Sequence, residues 1–498
     1  MDAPVKGQKR RVTSAPPDGG YAWFILISCF FVFGLTFGVI KSFGVFYVEI
    51  HRYFETTATE TSWITSIAVA TIHVVAPIAS ALSACYSHRS VVFTGGLMCS
   101  LGVVFGAFAR DLTELYLTVG VLNGFGYALT WTPTVTMLGL YFEKRRPVAN
   151  AVASSGECIL TFILTPLFQL LIDSFSWRGA LLILGGLQLN LCVCGMLLRP
   201  LKDARDCVSE VKAEEGDLSM ELLPKEDLDQ VKQSCQAGLK ISEGDDQLAT
   251  RSCPENPEEK HDLTKDSKSR TNRTELKNKI LIYVDYTLIT NARFMVYSMF
   301  GVFAALGFFA PGLFLVPYAR SQGIEEYQAA ALMSISAAFD LFGRLFFGWV
   351  ANMRLVQTVQ QLTASVILLG TVLLLCPLAT SFSELAAFSA AYGLVYGATV
   401  AVHITVLAEV VGIQQLGSAL GFFMLIRSSG GLLGPPIAGF FIDKMSDYGT
   451  GFLMAGVALI VSALFLLILH QMNRKEARYA HGQKGPSLRA AGKKENET

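Results

Sequence analysis

Among the ionisable side chains set inside long apolar runs of this sequence, six stand out as places where chemistry could be done: Lys41, Asp340, Arg344, Arg427, His73 and His403. Asp340 and Arg344 are four residues apart, hence on one face of a helix and close enough to pair. Such a pair either fixes packing or works. Arginine stays charged and grips a carboxylate through two hydrogen bonds, whereas aspartate can take a proton. An ionised Asp340 satisfies Arg344; a protonated one leaves Arg344 free for an anion. Lys41 lies about twenty residues into the first apolar run, roughly 30 Å along a helix and so in the outer half. It reads either as a lysine that snorkels to an interface or as a cavity-facing cation that exchanges protons, since desolvation disfavours its charged form. Arg427 precedes Gly434-Pro435-Pro436 by seven residues. It could be a second anion contact, a partner for Glu409 or Asp340, or a packing group beside a wet cavity. His73 and His403 are lone histidines on apolar helices, more often hydrogen-bonded packing residues than ligands. His403 is the better site candidate because Gly393, Tyr396 and Gly397 share its run. Lys41, Arg344 and Asp340 sum to one positive charge, so one bound carboxylate would bring that trio to neutrality.

These residues must be held by elements that tolerate them, and composition says which. The chain has 498 residues, of which 52% are apolar and 16% charged, against roughly 25% charged in a typical soluble protein. Lys+Arg and Asp+Glu number 40 each, for a formal net charge of zero. A basic nucleic-acid binder, an acidic solubilising protein and a largely disordered chain are thereby excluded. A multi-spanning protein of the lipid bilayer is expected. Runs long enough to cross it fall near 21–50, 61–84, 91–109, 113–140, 147–173 and 177–199, then near 294–319, 326–351, 357–379, 384–411, 415–442 and 448–471. Between the sets, about a third of residues 201–292 are charged and aromatics are scarce, so this segment reads as a disordered loop.

The expected organisation is an N-terminal tail over 1–20, a six-helix bundle over 21–200, the loop over 201–292, a second six-helix bundle over 293–471 and a tail over 472–498. Two such halves place a substrate site between them at mid-membrane. Lys6, Lys9, Arg10 and Arg11, the Lys144-Arg145-Arg146 loop, and Arg474, Lys475 and Arg478 put both termini and the long loop on the cytoplasmic side. The sequons at Asn272 and Asn496 then face the cytoplasm and should stay unused. Seven of the ten cysteines lie in apolar runs as small packing residues, and no His/Cys cluster has metal-ligand spacing. The spans hold no nucleophile–base constellation either, so an enzyme is not expected.

Asp18-Gly19-Gly20-Tyr21-Ala22-Trp23 resembles the signature that opens the first span of the monocarboxylate transporter family. Tyr141 to Asn150, continuing through Ala151, Ala153 and Gly156, is similar to a second family motif, and Ser176-Trp177-Arg178-Gly179 and Gly434-Pro435-Pro436 match as well. The resemblance covers roughly 16–200 and 285–470. Phe37 to Lys41, Gly156-Glu157-Cys158 and His403 look closest to the monocarboxylate transporter 7 branch.

The resemblance implies an all-α major-facilitator fold of twelve transmembrane helices in two six-helix bundles, working by alternating access at the plasma membrane. It implies carriage of a small monocarboxylate of the ketone-body, lactate or pyruvate class with a proton, which is the coupling ion; no cofactor is expected. Lys41, Asp340 and Arg344 fall on the family's proton- and carboxylate-binding positions. Phe37, Tyr396, His403 and Arg427 would line the pocket. Several family members pair with a single-span immunoglobulin-type chaperone glycoprotein, which is the expected partner.

The sequence departs from lactate-type members: Val39-Ile40 replaces Phe-Pro before the lysine, Tyr396 a phenylalanine, Val400 a serine, and Arg427 an often acidic or neutral group. One rival reading is a proton-independent facilitator of an aromatic amino acid, creatine or taurine, against which Lys41 argues. The other is a non-transporting sensor or scaffold that signals through 201–292.

Overall fold

A computed structural model of the chain describes residues 20–142, 146–199, 288, 290–353, 356–412 and 415–494. All of the expected loop but 288 and 290–292, the Asn272 and Asn496 sequons, Asp18-Gly19 and Glu143-Lys144-Arg145 lie outside the described residues, as do Cys207, Cys235 and Cys253. The described residues are helical, with no strand among them.

The first half holds α1 (22–54), α2 (Ala58–Cys85), α3 (His88–Ala107), α4 (112–141), α5 (146–175) and α6 (177–197). The second holds α7 (Ala292–Ser321), α8 (Glu326–Asn352), α9 (Thr358–Leu375), α10 (Phe382–Val411), α11 (Leu416–Met445) and α12 (Gly449–Lys494). Among the described residues, nine segments are long and apolar enough to cross a membrane. One of these, Val148–Leu197, is two helices, because Ser176 at φ 60° and ψ 170° breaks it into α5 and α6. With α4 and α11 the set is the expected twelve. Helix α12 continues well past the apolar run that ends near 471.

Local chemistry sets the ends. Thr57 and Glu60 form a reciprocal capping box at α2, and Ser381 and Glu384 form another at α10; each satisfies backbone N–H groups that a helix start leaves unpaired. Phe24, Phe31, Phe342 and Trp349 are exposed, as expected of helices apolar on more than one face, with one side toward lipid. Cys29, Cys99, Cys158, Cys192, Cys194 and Cys376 are buried and free.

Two features of this scaffold position the site. Helix α1 contains a π turn over Gly34–Gly38, which shifts the phase of the helix just before Lys41; single π turns of this kind are frequent at functional sites. Helix α10 lies on α8 nearly backbone to backbone. A Cβ added at Gly397 would press into the Asp340 carbonyl, reach Arg344 N at 2.8 Å and reach Asp340 Oδ1 at 3.0 Å. Only glycine admits that approach.

The two halves meet through α1 with α7, α2 with α11, and α5 with α8. Helices α2 and α11 are antiparallel: Gly439 packs on Thr59, and Gly431 on the Val69 side chain. At the end of the bundle away from the chain termini the halves are tied together. Asp443 Oδ1 accepts from Ala58 N at 2.7 Å, and its Oδ2 from Thr59 N at 2.9 Å. Gln169 Nε2 donates to Glu326 Oε2 at 3.2 Å, and Tyr47 sets its ring edge-on to Phe314 at 5.6 Å. A carboxylate on the free N–H groups of a helix start is worth about 2 kcal/mol. Asp443→Ala should therefore speed hydrogen exchange at residues 58–61 about tenfold or more. Exchange as slow as in the parent would show that this tie carries no free energy.

Candidate ion-pair site between the two halves

Each half brings one part of a single charge cluster. Lys41 comes from α1, past the π turn. Asp340 and Arg344 come from the face of α8 that Gly397 lets α10 approach. Lys41 Nζ lies 2.7 Å from Asp340 Oδ2. Arg344 Nε donates to Asp340 Oδ1 at 2.8 Å and its second terminal nitrogen to Asp340 Oδ2 at 3.0 Å, the two-pronged grip expected of an i, i+4 pair. Asp340 and Arg344 are 1% and 4% exposed. Lys41 keeps 21% of its side chain exposed, so the cluster meets open space along this side chain. The lysine is not snorkelling: it lies at the level of Asp340 rather than farther out, because both halves contribute to one site.

The cluster has a fourth member, which the expected trio omits. Glu157 of α5 places Oε1 2.8 Å from Lys41 Nζ and Oε2 2.9 Å from Arg344. It bridges the two cations from the side opposite Asp340, and Arg344 also donates to the Ser154 carbonyl at 3.2 Å. Gly156 is what brings Glu157 there, since any Cβ on it would run into the Phe30 carbonyl of α1. The charge sum is corrected accordingly: with Glu157 ionised the cluster holds two cations and two anions and is neutral at rest, not positive by one. Two carboxylates flank the Lys41 ammonium.

Tyr396 lies under the lysine, with Nζ 4.2 Å from its ring centroid, and meets Phe308 edge-on at 5.7 Å. Arg427 stacks over the other part of that wall, 5.6 Å from the Phe308 centroid. It is not the partner of Asp340, which Lys41 and Arg344 occupy, nor of Glu409, which accepts from Thr358. His403 is hydrogen-bonded as a packing histidine would be, its Nδ1 2.8 Å from the Val400 carbonyl. His73 is buried, and its Nδ1 has no partner among the described residues. Phe37 packs on Trp131 at 5.6 Å, a contact inside the first half. Among the described residues no group of three His, Cys, Asp or Glu could hold a metal ion.

Removing one member of a buried ion-pair network leaves an unmatched charge and costs about 3–5 kcal/mol, whereas removing a matched pair costs much less. Glu157→Gln should lower the melting temperature of the purified chain by several degrees, and adding Lys41→Met should recover part of the loss. A double variant no more stable than the worse single one would show that charge matching does not hold the cluster together.

The sequence profile of the Major Facilitator Superfamily matches residues 26–359 and 297–494. Monocarboxylate transporter 7 of Homo sapiens is 34% identical, over 95% of this chain and 90% of its own length. Monocarboxylate transporter 12 of Rattus norvegicus is 36% identical, over 96% and 92%. Monocarboxylate transporter 2 of Homo sapiens is 34% identical, over 92% and 87%. The crystal structure of a mutant of the nucleoside transporter NupG superimposes with a TM-score of 0.62 at 13% identity, over 90% of this chain and all of that one, a likeness of fold. A multi-pass, all-helical membrane chain of this kind is a transport protein rather than an enzyme, and it belongs to the monocarboxylate transporter family of the major facilitator superfamily.

Proposed function

We propose that this chain carries a small monocarboxylate of the ketone-body, lactate or pyruvate class across the plasma membrane together with a proton, by alternating access. The observation that supports it is the neutral four-charge cluster of Lys41, Glu157, Asp340 and Arg344. Buried charge is tolerated when matched. At rest each cation is matched by a carboxylate, so an anion arriving alone would leave the site negative by one. A proton on Asp340 or Glu157 leaves the site positive by one, and a single carboxylate returns it to neutrality. Proton and anion thus enter as a pair. Arg344 offers the substrate carboxylate a planar fork, Lys41 a point charge, and Tyr396 a ring against which a short carbon chain can lie.

The names of the relatives support a monocarboxylate as substrate. The short-loop lysines and arginines support cytoplasmic termini. A single-span immunoglobulin-type partner belongs to the same reading and rests on the family resemblance alone.

Uptake of labelled 3-hydroxybutyrate or lactate, measured at about pH 6 and pH 7.5 with surface expression monitored, tests the proposal. Uptake should rise severalfold in acid, because the site must take a proton before it can take an anion. A flat profile with intact expression would favour proton-independent facilitation instead. Arg344→Lys should remove most uptake, since an ammonium cannot reproduce the fork; normal uptake in that variant would refute the role given to Arg344.

A further inference from the structure

Among the described residues the neutral cluster leaves one deep cation unaccounted for. Arg427 is half-buried in α11, and the described residues give it neither a carboxylate nor a hydrogen-bond acceptor; its contact is the face of Phe308. An arginine cannot shed its proton, so at this depth it needs an anion or water. A second observation points to the same place from the other half. The antiparallel register that sets Gly439 on Thr59 and Gly431 on Val69 brings Arg427, one turn before Gly431, opposite His73, one turn after Val69. His73 is 4% exposed and its Nδ1 is unpartnered. The two side chains therefore approach one another from opposite halves, with no carboxylate between them among the described residues. His403 is not part of this grip: with Nδ1 held by the Val400 carbonyl, its Nε2 offers a lone pair rather than a proton.

The path from this point to the charge cluster is an aromatic wall. Arg427 lies over Phe308, Phe308 meets Tyr396, and Tyr396 carries Lys41. We propose that Arg427 and His73 form a second anion subsite, and that the best ligands are short dicarboxylates lying along Phe308 and Tyr396. One carboxylate would lie at Lys41 and Arg344 and the other at Arg427. This deepens the reading above and rests on it for the first carboxylate only.

The test compares succinate, glutarate and adipate with monocarboxylates of matched chain length. Each is used as a competitor of labelled 3-hydroxybutyrate uptake and, separately, as a ligand in thermal melting of the purified full-length chain. The best diacid should compete at about tenfold lower concentration than its matched monoacid and should raise the melting temperature more. Arg427→Gln should cut that preference about tenfold, and Arg427→Lys, which keeps the charge, should retain part of it. If Arg427→Gln does not reach the surface, His73→Phe should lower the same ratio severalfold. A parent chain that does not prefer any diacid in either measurement, or an Arg427→Gln variant that keeps the full preference, overturns the proposal. Flat pH dependence of monocarboxylate uptake, with diacid preference intact in melting, would overturn the proton-coupled reading and leave the subsite standing.

Discussion

Charge far from water must be matched, and much of the architecture around the site is arranged to meet that condition for Lys41. Its ammonium lies between Asp340 of α8 and Glu157 of α5, and Arg344 closes the ring by holding both carboxylates. Two of the four contacts, Lys41 to Asp340 and Arg344 to Glu157, can be met only with both halves in place. The π turn in α1 sets the phase of the lysine, Gly156 lets α5 come close enough to α1 to deliver Glu157, and Gly397 lets α10 press on α8 behind Asp340. The glycines here are consequences of the charges: the helices must approach to backbone contact before short carboxylate side chains can reach.

Much of this was legible in the chain. Apolar runs of bilayer length give the twelve helices because nothing else satisfies backbone groups in hydrocarbon. The i, i+4 spacing of Asp340 and Arg344 gives their pairing because both lie on one helix. Glu157 was harder to see. It has no oppositely charged neighbour a turn away on α5, and its partners come from α1 and α8, a relation that spacing along the sequence does not carry. The signal that could have found it is its depth, about ten residues into the fifth apolar run, to which the rule used for Lys41 applies equally. The break at Ser176 falls where the fifth and sixth apolar runs were already separated, whereas the phase shift in α1 was invisible for a different reason: it is a backbone event that tertiary packing decides.

Arg427 shows where a resemblance is most informative, at the position where it fails. The family pattern suggests an acidic or neutral group there, and the chain has a cation that lies over an aromatic face. The fold is held by apolar contacts and by ties such as Asp443 on the start of α2 as well as by the cluster.

The boundary between the two halves runs straight through the four-charge cluster. Lys41 and Glu157 lie on one side of it, and Asp340 and Arg344 on the other. Each side keeps one cation and one anion, already 2.8 Å apart, so parting the halves would leave two self-neutralised walls in place of two opposed bare charges. Within the cluster, electrostatic adhesion across the seam is thereby limited to dipoles.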